Sequence, residues 1–183
     1  MKDNPYRILA VIVLLGFVLR MHGIGALEFW YDEIDLWLYS LGAGPSTQEP
    51  PLMSWILYAV MKWMNSADPT IMHVIPAIFG TLTIPLAFIL VRQLDGTRVA
   101  GLVASILVAI SPMMLYFSRE GRPYALFIFL SGCLLISFIN AQKRNGWIDW
   151  LAYSFMLLLS CLAHQLQQPT ERSTGAPGSL IAS

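Results

Sequence analysis

Charge is what this sequence has least of. Lys, Arg, Asp and Glu together make up 12% of the 183 residues, against about 25% in an average soluble domain. So few charges cannot cover a water-exposed surface, which excludes an ordinary soluble domain, and so apolar a chain is not a disordered one. Neither sign is in excess, with 11 basic and 11 acidic residues. There is therefore no net positive field to hold a nucleic acid. Cysteine is scarce as well. Cys133 and Cys161 both fall in apolar runs, so no disulfide framework or metal-spaced set is present. Both read as small buried hydrophobes. The motifs GxSxG, CxxC, HExxH and GxxxxGK[ST] are missing, as are internal repeats and sustained strand alternation. What is there is apolar: 56% of the residues, with a mean hydropathy of +0.62. The expected class is an all-α, polytopic helical membrane protein.

Crossing the hydrocarbon core takes about 20 mostly apolar residues. By that measure the sequence predicts about five transmembrane helices, over 8–27, 70–91, 99–117, 124–141 and 147–163. Arg20 sits near the far end of the first, where a long side chain can snorkel to the headgroups. Residues 50–64 are shorter, open on Pro50-Pro51 and contain Lys62. They read as a juxtamembrane helix of the first outer loop. With that stretch kept on one side, Lys2/Arg7, Arg92/Arg98 and Lys143/Arg144 all fall on the opposite side. The positive-inside rule then makes that opposite side, and the N-terminus, cytoplasmic. A cleavable signal peptide over 1–26 is the rival reading, and four later spans favour an uncleaved first helix.

The outer face receives the loop 23–69, the turn Ser118-Arg119-Glu120-Gly121-Arg122-Pro123 and the end of the fifth span at His164. Between Met21 and Met61 there is no Lys or Arg, but there are Glu28, Asp32, Glu33, Asp35 and Glu49. Each feature has a plain structural explanation. Trp30 and Tyr31 suit an aromatic belt. Asp32 and Glu33 suit the start of a surface helix, and Glu49 suits capping ahead of Pro51. Arg119, Glu120 and Arg122 suit a hydrophilic hairpin with an internal ion pair. His164 and His73 read as interfacial residues. Taken together, carboxylates and arginines share one face at headgroup depth. That placement suits chemistry on a lipid-linked phosphate. Arginines would hold the phosphate leaving group, and a carboxylate would take the proton of an attacking hydroxyl. A divalent cation bridging carboxylate and phosphate is a possible assistant, and no other cofactor is expected.

These residues resemble a known family, the GT-C-type integral membrane glycosyltransferases. The likeness is to the group of glycosyltransferase family 39, with the protein O-mannosyltransferases and aminoarabinose transferases. It is carried by Trp30-Tyr31-Asp32-Glu33, by Glu49-Pro50-Pro51-Leu52, by Phe79-Gly80-Thr81-Leu82-Thr83-Ile84-Pro85-Leu86 and by Ser118 through Leu126, in that order. The resemblance implies a hexosyl- or pentosyltransferase. Such an enzyme moves a sugar from a polyprenyl-phosphate donor to a lipid, glycan or protein acceptor. The reaction would take place on the extracytoplasmic face, here of a bacterial cytoplasmic membrane. It implies Asp32 as the catalytic residue with Glu33 in support. It also implies Glu49, Arg119, Glu120, Arg122 and His164 as donor- and phosphate-binding residues.

Two departures stand out. His73 lies near where relatives carry an arginine, and relatives have many more spans. Residues 1–164 are expected to be the N-terminal part of such a module. Residues 165–183, rich in Gln, Ser, Thr, Gly and Pro, are expected to be a disordered tail outside the family pattern. A truncated enzyme is therefore the expectation. The alternative is an inert membrane fragment or helix-packing subunit, for which Ala100/Ala104 and Gly101/Ser105 offer small-residue faces. A small transporter ranks last, because no charge sits at mid-depth.

Overall fold

The computed structural model describes residues 4–26, 31–41 and 51–163, and for Tyr31, Asp32, Asp35, Tyr39, Ser40 and Pro51 the backbone alone. Glu49, His164 and the tail 165–183 lie outside the described residues. Every regular element among the described residues is helical.

Helix α1 (Pro5–Met21) starts where the side chain of Asn4 accepts from the Tyr6 amide at 3.1 Å, with Pro5 in the first turn. At that position proline loses no helical hydrogen bond. A short 3-10 turn, Ile24–Ala26, follows. Then come α2 (Tyr31–Ser40), α3 (Pro51–Met64) and α4 (Thr70–Gln93). Two prolines, Pro76 and Pro85, lie inside α4. Each withholds an amide from the ladder, yet α4 runs through both. Next are α5 (Arg98–Ile110), capped by Thr97, and α6 (Pro112–Phe117), capped by Ser111. Helix α7 (Tyr124–Arg144) stops at Asn145 in the left-handed conformation (φ 51°), which asparagine tolerates. Helix α8 (Trp147–Ala163) closes the series.

Among the described residues three helices are long and apolar enough to cross a membrane: α1 with its 3-10 turn, α4 and α7. The expected third span is not one helix. Pro112 cannot donate, so the segment breaks at Ser111 into α5 and α6. At 1.5 Å per residue, α5 alone is about 20 Å long, short of the roughly 30 Å hydrocarbon core. The fifth segment forms α8, another apolar helix below the spanning length.

Helix α4 is the hub, packed against α1, α5 and α7, and α7 pairs with α8. Large apolar side chains such as Val11, Leu14, Val99, Leu107 and Leu158 stay exposed, as a lipid-facing surface requires. Deep between α1, α4 and α5, Ile12, Ile84 and Ala109 form a small core. The larger core lies at one end. There Met53, Leu57 and Met61, spaced four apart on one face of α3, meet Leu36 of α2. They pack on Ile71, Met72 and Ile75 in the opening turns of α4. The same core takes in Leu126 and Leu130 near the start of α7 and Ala163 at the end of α8. Helix α3 therefore lies across one end of the bundle instead of running through it. Its other side exposes Trp55, Tyr58 and Trp63, the last 85% exposed.

The two ends differ in chemistry. At the end away from α3, Lys143 donates to the Gln93 carbonyl at 2.5 Å and lies 3.9 Å from Asp95. Arg144 is 4.0 Å from Asp149, and Arg92 donates to the Gly96 carbonyl at 2.6 Å. The α3 end gathers the exit of α1, helix α2, and the turn between α6 and α7.

Candidate active site

Helix α2 carries the Asp-Glu pair. Glu33 is buried, 1% exposed, and its Oε1 accepts the amide of Gly121 at 2.6 Å. A carboxylate accepting from a backbone N–H is a charge-assisted bond. It ties α2 to the turn after α6. The approach is close: a Cβ on Gly121 would stand 3.1 Å from Glu33 Oε1 and 3.4 Å from the Met72 side chain. Asp32 precedes Glu33 in the first turn of α2, and its side chain is outside the described residues.

The turn itself is held at several points. The Arg119 carbonyl lies 2.8 Å from His73 Nδ1, and Arg119 Nη2 donates to the His22 carbonyl at 2.9 Å. Arg119 Nε is buried without a hydrogen-bond partner among the described residues. The Glu120 amide donates to the Tyr116 carbonyl at 3.2 Å, and Arg122 Nη1 approaches the Tyr124 hydroxyl at 3.4 Å. His73, read from sequence as an interfacial residue, is instead 4% exposed and braces the turn from the start of α4.

Arg20 also departs from expectation. It does not snorkel: it is fully buried, at 0% exposure. Its Nε donates to Ser118 Oγ at 3.2 Å and its Nη1 to the Gly16 carbonyl at 2.9 Å. Its Nη1 and Nη2 reach the carbonyls of Ala109 and Val108, both at 3.2 Å. The break at Pro112 explains the geometry. In a continuous helix the amides of residues 112 and 113 would take these two carbonyls. Proline has no N–H, and residue 113 belongs to the first turn of α6, so both acceptors are orphaned. A guanidinium, with five donors in a fixed fork, fills them. It also lies against the negative end of α5. The signal was present in the sequence as an arginine in one apolar run and a proline in another, but nothing in the sequence paired them.

Of the site residues expected from sequence, Glu33, Arg119, Glu120 and Arg122 are brought to one end of the bundle. The backbone of Asp32 lies beside them. Among the described residues no group of three or more His, Cys, Asp or Glu side chains is arranged to hold a metal ion.

The helical architecture, lipid-facing surface and charged cluster at one end of the bundle define an integral membrane protein with a polar site at one end of its helices. The family model for dolichyl-phosphate-mannose-protein mannosyltransferase matches residues 48–167, more than half of the chain. The chain belongs to that family and is thereby a GT-C-type glycosyltransferase-family protein, and lipid-linked sugars are the family's general kind of partner. The match includes Glu49, the Arg119–Arg122 turn and His164, and begins after Asp32 and Glu33. No curated protein and no solved structure matches the chain.

Proposed function

We propose that this protein transfers a sugar from a polyprenyl-phosphate donor to an acceptor at the extracytoplasmic face of the membrane. The observation that carries this reading is the Glu33–Gly121 bond. It joins the helix bearing Asp32 to the turn bearing Arg119 and Arg122. In this reading the bond keeps a base and a phosphate grip together at headgroup depth.

In this reading Asp32 takes the proton of the attacking hydroxyl. Arg119 and Arg122 hold the donor phosphate and stabilise its charge as the sugar leaves. Glu120, whose amide is held by the Tyr116 carbonyl, lines the donor site with Glu49 and His164. Glu33, buried and bonded to a main-chain amide, acts by holding the turn rather than by proton transfer. The turn faces outward and Lys143/Arg144 face the cytoplasm, in keeping with the positive-inside rule.

The test is sugar transfer by the full chain in membranes, with polyprenyl-phosphate mannose as the probe. Asp32→Asn should remove transfer and leave membrane insertion intact. Transfer retained by that variant would overturn the assignment of Asp32. No transfer by the unsubstituted chain would favour the inert or helix-packing reading.

A further inference from the structure

We infer that Arg20 is a positioning residue that latches the Arg119 turn to the exit of α1. Two bonds cross between the same two segments. Arg20 Nε donates to Ser118 Oγ, and Arg119 Nη2 donates back to the His22 carbonyl. Neighbouring residues on each side thus hold neighbouring residues on the other. Ser118 is itself anchored, its hydroxyl donating to the Met114 carbonyl one turn back in α6. The fork that reaches Ser118 is fixed at its other end by the Val108 and Ala109 carbonyls freed by Pro112.

Space was left for this arrangement. A Cβ on Gly80 of α4 would stand 1.9 Å from Ser118 Oγ and 3.2 Å from Arg20 Nε. Gly80 therefore lets α6 and the guanidinium approach the hub helix. Among the described residues Arg20 has no carboxylate partner, so its position is set by dipoles and one hydroxyl. A cation held only by neutral acceptors in a buried site is costly unless those acceptors are well placed. Its retention here fits a role in geometry. That this geometry serves donor binding rests on the function proposed above; the latch itself does not.

The test reads the latch without transfer activity. The full chain in detergent is digested briefly with trypsin and the fragments are identified by mass. Arg122 precedes Pro123, so cleavage in the turn reports Arg119. Cleavage after Arg92, at the opposite end, is the internal reference. Arg20→Ala should raise cleavage after Arg119 by about tenfold, as loss of a charge-assisted bond implies, and leave cleavage after Arg92 unchanged. Arg20→Lys, which keeps the charge with fewer donors, should fall between. It stands in for Arg20→Ala if that variant does not accumulate. In Arg20→Ala/Pro112→Ala the new amide can take the Val108 carbonyl. Its melting temperature should recover while the turn stays cleavable. Equal increases after Arg119 and Arg92 would overturn the latch, as would an unchanged turn. Protection restored by Pro112→Ala would also overturn it, because Arg20 would then serve only the carbonyls. If the latch holds and polyprenyl phosphate still binds equally to Arg20→Ala and the unsubstituted chain, the donor assignment fails and the latch stands.

Discussion

Glu33 and Gly121 lie 88 positions apart and share a 2.6 Å hydrogen bond from the glycine amide to the carboxylate. It ties α2 to the turn between α6 and α7. Glu33→Ala should cost about 1–3 kcal/mol, because it strands a buried amide. Glu33→Gln keeps an acceptor oxygen and should cost less. Melting temperatures of the two variants in the same detergent give the comparison. Equal losses would mean that the charge, and not the acceptor, is what matters.

The contact at Gly80 gives a sharper steric prediction. Gly80→Ala forces Ser118 away and should destabilise by about 1–3 kcal/mol, as overpacking does. Gly132→Ala is the control. Its Cβ would meet Leu86 Cδ2 at 2.4 Å, the far end of a flexible side chain. Leu86 can turn aside, so this variant should melt within about 1 kcal/mol of the parent.

Helix α3 depends on its buried stripe. Leu57 and Met53 are at 0% exposure, on the helix that packs against α2, α4 and α8. Leu57→Ala should cost about 2–4 kcal/mol, and hydrogen exchange should quicken in α3 well before it does in α4. Trp63→Ala, on the open side, should leave exchange in α3 unchanged in detergent.

Asp68 caps the approach to α4, accepting the Thr70 amide at 2.9 Å. The backbone and side chain of Thr70 hold its carboxyl below the ordinary value of 3.8. A depressed folded value means the contribution is fully present above the ordinary value and is lost as pH falls through the depressed one. The Thr70 amide resonance should therefore titrate with a midpoint under 3.8, and Asp68→Asn should abolish that titration.

The proposed orientation is open to labelling. A cysteine introduced at Arg98, with Cys133 and Cys161 replaced by serine, should react with impermeant reagents only from the cytoplasmic side. Reaction from outside alone would reverse the topology.

Much of the architecture is legible in the sequence. The scarcity of charge gave the membrane class. The brevity of 50–64 and its lysine marked α3 as a helix lying across the bundle end, and its apolar stripe meets only that end. The division of the scarce charges between the two ends was readable from Glu33 and Arg119/Arg122 at one and Lys143/Arg144 at the other. Other features were not. Whether Arg20 snorkels or is buried depends on whether acceptors exist beside it. Those acceptors come from a proline about ninety residues later, in a helix whose pairing with α1 no local pattern encodes. The burial of His73 and the partner of Glu33 were hidden for the same reason. Their roles lie in bonds to the main chain of the distant turn, and main-chain partners leave no residue-type signature.

Arg20 also has a consequence for how the chain is made. The guanidinium enters the bilayer with α1, whereas its carbonyl partners belong to residues synthesised much later. Until α5 and Pro112 emerge, α1 carries an uncompensated cation and must keep that end near the headgroups. Only afterwards can the helix settle to its final depth. Completion of the first helix is therefore deferred to the arrival of the fifth, so that a nascent chain ending before Pro112 would hold α1 in a shallower position than the finished protein does.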